Sequence, residues 1–113
     1  MITIWHNPRC SKSRQTLALL QENSFQPDIR LYQDNAPSED ELRKVITALG
    51  CKAIEIVRTG EALFKELGLK QTDDDDTLIA AMASHPKLIE RPIVLVGNRA
   101  AIGRPPSQVL DIV

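Results

Sequence analysis

Apolar positions come in short runs near the two ends of the chain and at helical spacing between them. Met1-Ile2-Thr3-Ile4-Trp5 is an apolar run of the length and kind that makes a buried strand. Residues 11–23 put Leu17 and Leu20 on one helical face, and Pro27 stops further extension. Ile29–Tyr32 reads as a second strand. A strand, a helix and a strand so close together predict a βαβ unit with a parallel pair and a right-handed crossover.

The middle of the chain is helical in pattern. Ser38-Glu39-Asp40-Glu41 has the capping-box spacing, in which a serine hydroxyl and a glutamate carboxylate each satisfy a backbone N–H at a helix start. Leu42, Val45, Ile46 and Leu49 follow on one face, and Gly50 ends the helix. Further helical pieces are predicted over 53–58, over 61–67 before Gly68, and over 76–84 before Pro86. The acidic run Asp73–Asp76 suits the start of the last of these, where carboxylates meet the positive end of the helix dipole. It lacks the alternation and the distal glutamate of a calcium loop, and no metal site is expected.

Near the C-terminus the period changes to that of strands. Ile93–Val96 is a β-rich run, Gly97-Asn98 fits a two-residue type II′ turn, and Arg99–Ile102 returns as its partner. Pro105-Pro106 then opens a short terminal helix carrying Val109, Leu110, Ile112 and Val113. The order βαβ, helical block, ββ hairpin and helix predicts an α/β fold. It fits a mixed four-stranded sheet with helices on both faces, the thioredoxin-like arrangement. Residues 1–113 are read as a single domain with a helical insertion at roughly 37–86.

Composition excludes several classes. The chain has 113 residues, 42% hydrophobic and 26% charged, with a formal net charge of −1. That balance gives no general attraction to nucleic acid or to an anionic membrane, and no apolar stretch approaches a membrane span. Two cysteines do not make a disulfide framework, and no signal-peptide pattern opens the sequence. The expectation is a cytoplasmic, reducing setting in which a reactive thiol is catalytic rather than structural.

Candidate chemistry centres on His6-Asn7-Pro8-Arg9-Cys10-Ser11-Lys12-Ser13-Arg14. Cys10 stands where the first strand gives way to the first helix. Peptide N–H groups at a helix start carry partial positive charge, so a thiolate there is stabilised below the ~8.5 of a free cysteine. His6, as an imidazolium, would favour the thiolate, and Ser13 offers a hydroxyl donor to it. Ser13 stands where a C-x-x-C redox pair has its second cysteine. A serine cannot resolve a disulfide, so turnover needs an outside thiol or Cys51. Cys51, after Gly50, reads as a packing thiol, and His85 as a helix-end partner.

Three arginines stand apart from the remaining basic residues, which read as solvated faces. Arg91 and Arg104 each precede a proline, which pushes them onto extended, irregular backbone. Arg58 ends the apolar run Ile54–Val57. Guanidinium forks bind tetrahedral oxyanions through paired hydrogen bonds. Pro92 is the candidate for a cis-proline beside the cysteine, which would bring Arg91 to the thiol.

The combination His6-Asn7-Pro8-x-Cys10-x-x-Ser13-Arg14, Glu90-Arg91-Pro92-Ile93 and Gly103-Arg104-Pro105 resembles the glutaredoxin-coupled arsenate reductase family. Leu31-Tyr32, Pro37-Ser38 to Leu42 and Val109-Leu110-Asp111-Ile112 extend the resemblance over nearly the whole chain. The resemblance implies that Cys10 is the nucleophile, that Arg58, Arg91 and Arg104 bind the oxyanion, and that His6 and Ser13 support the thiolate. It also implies a cycle in which Cys10 attacks arsenic(V), glutathione attacks the bound arsenic, and glutaredoxin completes the reduction to arsenite. Glutathione is then a co-substrate, with no bound cofactor.

Two other readings share the fold: a thiol-dependent module acting on another oxyanion or on glutathione mixed disulfides, and a regulator that contacts RNA polymerase. Ser13 disfavours the regulator, whose members usually carry C-x-x-C. A phosphatase-type arsenate reductase would have an arginine where Thr16 stands.

Overall fold

The computed structural model describes all residues, Met1–Val113. The chain forms two compact units, one of Met1–Asn35 with Arg91–Val113 and one of Ala36–Glu90. It leaves the first unit after Asn35 and re-enters it at Arg91.

The first unit is built on four strands: β1 (Ile2–Trp5), β2 (Asp28–Arg30), β3 (Ile93–Val96) and β4 (Arg99–Ile102). Their order across the sheet is β2-β1-β3-β4. β1 runs parallel to β2 and antiparallel to β3, and β3 is antiparallel to β4. This is the mixed sheet that the element order predicts. Helix α1 (Ser11–Glu22) makes the crossover from β1 to β2.

Strand register sorts the side chains. Ile4 faces Val94 and Ile2 faces Val96, so all four point to one face of the sheet. Leu20 of α1 and Val109 of the terminal segment close on that face, with Ile4, Leu20, Val94 and Val109 all at 0% exposure. Leu17, Phe25, Ala101 and Ile112 complete the cluster. Burying a side chain such as Leu20 is worth about 1.5–3 kcal/mol, so this face fixes α1 against the sheet. On the opposite face Trp5 and Ile93 are buried too, and the Arg30 guanidinium lies over the Trp5 ring at 5.6 Å.

Several element boundaries differ from the sequence expectation. β2 ends at Arg30, not Tyr32. The Arg30 carbonyl accepts from the His6 N–H at 2.8 Å, and the Asp34 and Asn35 N–H groups then both turn back to the Leu31 carbonyl. The ladder therefore closes where the next turn begins. The terminal segment Pro106–Asp111 is 3-10 rather than α-helical. A run this short, opened by two prolines, does not repay α-helix nucleation. At the hairpin, Gly97 has φ of +60° and Asn98 is not in the positive-φ region, as a type II′ turn requires.

The second unit holds α2 (Glu39–Leu49), α3 (Ala62–Glu66) and α4 (Asp75–Ser84), with 3-10 turns at Ala53–Ile56 and Pro86–Leu88. α2 starts at the expected box: Ser38 Oγ accepts from the Glu41 N–H at 3.1 Å, and Glu41 Oε1 accepts from the Ser38 N–H at 3.0 Å. Gly50 ends it at φ of +67°, the left-handed conformation in which glycine has no Cβ penalty. The segment predicted as helix over 53–58 is a 3-10 turn followed by an antiparallel bridge from Val57 to Ile89.

The acidic run is used by separate partners. Asp74 caps α4 by accepting from the Thr77 N–H, Asp73 accepts from the Lys70 N–H, Asp75 accepts from the Ala53 N–H, and Asp76 pairs with Arg43. No cluster of three or more His, Cys, Asp or Glu side chains is arranged to hold a metal ion. No helix is long and apolar enough to cross a membrane.

Candidate active site

The loop between β1 and α1 is tied before the helix begins. Asn7 makes most of the ties: its carbonyl accepts from the Cys10 N–H at 3.0 Å, its Oδ1 accepts from the Arg9 N–H at 3.0 Å, and its own N–H donates to Ser13 Oγ at 3.0 Å. Arg14 donates from Nη1 to the Pro8 carbonyl at 2.9 Å. This leaves Cys10 extended (φ −95°, ψ 124°) at the N-cap of α1, with 8% of its surface exposed.

The Cys10 thiol is held below the ordinary thiol value by opposing influences. Burial is the largest and acts upward. It is outweighed by the Ser13 N–H, the Arg91 charge, the Lys12 N–H and a hydrogen bond from the Arg91 side chain. Neither N–H closes a conventional cap bond, so both act as oriented dipoles at the helix start. Arg104 adds a contact from Nη2 to Sγ at 3.6 Å. Its Nε donates to the Arg91 carbonyl at 2.8 Å, which fixes the plane of the guanidinium. The Arg91-Pro92 peptide is cis, as the Pro92 expectation had it, and so is Arg104-Pro105.

His6 and Ser13 come together, but in roles other than those expected. Both are buried, and His6 Nδ1 lies 2.6 Å from Ser13 Oγ. Burial, and then the Arg14 charge, push the His6 pKa below its ordinary value. The ring is therefore disfavoured as an imidazolium, and the expected electrostatic support of the thiolate by His6 is corrected to a hydrogen bond to Ser13. The Asn7 N–H donates to the same Ser13 Oγ, so His6 and the loop backbone meet on one hydroxyl. The Ser13 hydroxyl oxygen is within hydrogen-bonding distance of both His6 and Asn7. Ser13 acts on Cys10 through its backbone N–H instead of its hydroxyl.

Arg58 belongs to the second unit. There its Nη1 pairs with Glu61 at 3.0 Å, Lys87 pairs with the same carboxylate at 3.1 Å, and its N–H donates to the Leu88 carbonyl at 2.7 Å. Cys51 is in that unit as well. Burial, Glu55 and Asp75 all push its thiol upward, the opposite of Cys10. Both cysteines are free thiols.

Sequence reasoning passed over Asn7, Thr16 and Gly103 as working residues. Asn before proline is a turn signal that flags Asn7. Nothing local flags the contact of Thr16 with Gly103, which are distant in sequence. Beside the loop, a cleft of about 360 Å³ opens between residues 6–9 and Leu31, Gln33 and Asp34, within the size range of small-molecule sites.

A buried thiol at a helix start, its ionisation favoured and two guanidinium groups beside it, can attack an electrophilic centre that carries negatively charged oxygens. Residues 5–112 match the ArsC family. The chain is 48% identical over 114 residues to Escherichia coli uncharacterized protein YfgD, covering 99% of this chain and 96% of that one. It is 45% identical over 113 residues to the Haemophilus influenzae protein named arsenate reductase, covering 98% and 97%. A solved structure named arsenate reductase from Vibrio cholerae superposes with a TM-score of 0.95 at 48% identity, covering 99% of this chain and 97% of that one. With the family match running from the end of β1 to the penultimate residue and these relatives spanning nearly the whole fold, the chain belongs to the ArsC family.

Proposed function

We propose that this protein is an arsenate reductase in which Cys10 is the nucleophile and an outside thiol completes the reduction. The observation that carries the reading is the set of positive groups on one sulfur: the helix-start N–H groups, Arg91, and Arg104 at 3.6 Å. The names of the Haemophilus and Vibrio relatives support arsenate as the oxyanion.

Cys10 sulfur attacks arsenic(V), and one arsenate oxygen leaves as water after taking up protons. Arg91 and Arg104 hold the oxyanion and balance charge as it develops on the remaining oxygens. Ser13 in the C-x-x-S position leaves no local partner thiol, so glutathione supplies the second sulfur. A glutaredoxin thiol then attacks the glutathione sulfur, the electron pair of the As–S bond reduces arsenic, arsenite departs from Cys10 with uptake of water, and further glutathione reduces the glutaredoxin–glutathione disulfide. His6 holds Ser13 and the loop in place. Resemblance to the family alone assigns Arg58 to oxyanion binding, and on that assignment Arg58→Ala is expected to raise the KM for arsenate. Residues 1–113 act as one domain with a helical insertion at roughly 37–86. A cytoplasmic location, where glutathione is abundant, fits this chemistry.

The test is arsenite formation from arsenate with glutathione and glutaredoxin. Wild type and Cys51→Ser should turn over at similar rates, and Cys10→Ser should fall to background. Turnover that survives Cys10→Ser, or is absent from wild type, contradicts the reading.

A further inference from the structure

Thr16 is polar yet has 0% exposure, and neither the capping of α1 nor the oxyanion set uses it. Its hydroxyl donates to the Lys12 carbonyl at 2.8 Å and lies 3.5 Å from the Gly103 carbonyl. Lys12 is one of the two residues whose N–H groups favour the Cys10 thiolate. Gly103 directly precedes Arg104, whose guanidinium reaches the same sulfur.

The approach at Gly103 is close. A Cβ there would collide with Thr16 Oγ1, lie 2.7 Å from Pro92 Cγ and lie 3.1 Å from Thr16 Cγ2. The Gly103 N–H also donates to the Pro92 carbonyl at 3.0 Å. One side chain thus touches both supports of the sulfur, the first turn of α1 and the backbone that carries Arg104. A threonine bonding back to the i−4 carbonyl contributes little to a helix by itself. A valine of nearly the same shape would fill the space without a polar atom to satisfy. The single hydroxyl proton is shared unequally, the Lys12 carbonyl at 2.8 Å taking the main bond and the Gly103 carbonyl at 3.5 Å the longer arm.

We propose that Thr16 is a positioning residue: its hydroxyl joins the start of α1 to Gly103 and thereby sets Arg104 against Cys10. It acts through Lys12 and Gly103 and does not touch the reacting atoms. The proposal rests on Cys10 as the nucleophile but is independent of which oxyanion is reduced.

The test is the pH dependence of Cys10 alkylation by iodoacetamide in the full chain, in a Cys51→Ser background so that one thiol is read. Thr16→Val should move the titration upward and slow alkylation near neutral pH roughly threefold or more, with an unchanged far-ultraviolet circular dichroism spectrum. Thr16→Ser, which keeps the hydroxyl, should restore both. A Thr16→Val titration equal to that of wild type overturns the proposal, as does a Thr16→Ser variant shifted as far as Thr16→Val. If Thr16→Val does not fold, Thr16→Ala takes its place: a shift in Ala but not in Ser supports the proposal, and equal titrations overturn it. No step needs arsenate, so failure of arsenate turnover leaves the result readable. A parent Cys10 that titrates like an ordinary thiol overturns the nucleophile reading and this proposal together.

Discussion

At the scale of residues, the site depends on one planar group used in two directions. Arg104 gives Nε to the Arg91 carbonyl and Nη2 to the Cys10 sulfur. A lysine carries a single compact charge and cannot do both. Arg104→Lys is therefore expected to lower kcat/KM for arsenate by about 10²-fold, the size seen when one donor to a developing oxyanion is lost. Steady-state kinetics checks this, and an unchanged kcat/KM would make Arg104 a bystander. Cys10, Arg91 and Arg104 were legible because each sits at a chemically marked place: a strand-to-helix junction, or the position before a proline. The charge state of His6 was not. Polar neighbours are visible in a sequence, whereas the burial that disfavours the imidazolium is not. Nor does any local pattern reveal that Thr16 meets Gly103.

At the scale of elements, local rules fix the helix ends and tertiary pairing fixes the strand ends. α2 begins at its box and ends at Gly50 as its sequence demands. Ser38→Ala should cost about 1 kcal/mol of stability through the lost cap and leave Cys10 alkylation unchanged. Urea unfolding and alkylation rates measure the two effects separately, and a Ser38→Ala variant as stable as wild type would show that the cap is dispensable. β2 is shorter than its apolar run because its length is set by β1 and by the turn at Leu31, not by the residues of β2 themselves. The terminal segment was legible as helical from Pro106 and Val109, but its 3-10 geometry follows from its length and its opening prolines.

At the scale of the whole molecule, the site imposes a pH dependence on stability. Unfolded, His6 titrates near its ordinary value of 6.5, and folded it titrates lower. As pH falls through the unfolded value, the unfolded chain binds a proton that the folded chain does not, and stability declines. Cys10 acts in the same direction at higher pH. Its folded thiol ionises below the ordinary value, so its contribution is full above that ordinary value and is lost as pH falls through the folded one. Between about pH 7 and about pH 5.5, the urea midpoint of wild type should fall, and that of His6→Gln should fall less. Equal slopes would mean that His6 is not buried as a neutral ring. The mixed sheet was legible from the order of elements alone, because few topologies accommodate a βαβ unit followed by a hairpin. The second unit, Ala36–Glu90, runs close to the helical block legible at roughly 37–86, because the change from strand to helix period marks where the chain leaves the sheet.

The most direct measurement follows alkylation of Cys10 and Cys51 separately by mass spectrometry across pH, with and without arsenate. The account predicts that Cys10 reacts as a thiolate at lower pH than Cys51, because helix-start N–H groups and arginines lower one thiol while burial and carboxylates raise the other. It also predicts that arsenate slows alkylation of Cys10 alone. A Cys10 that titrates as late as Cys51, or that arsenate does not protect, would contradict the account.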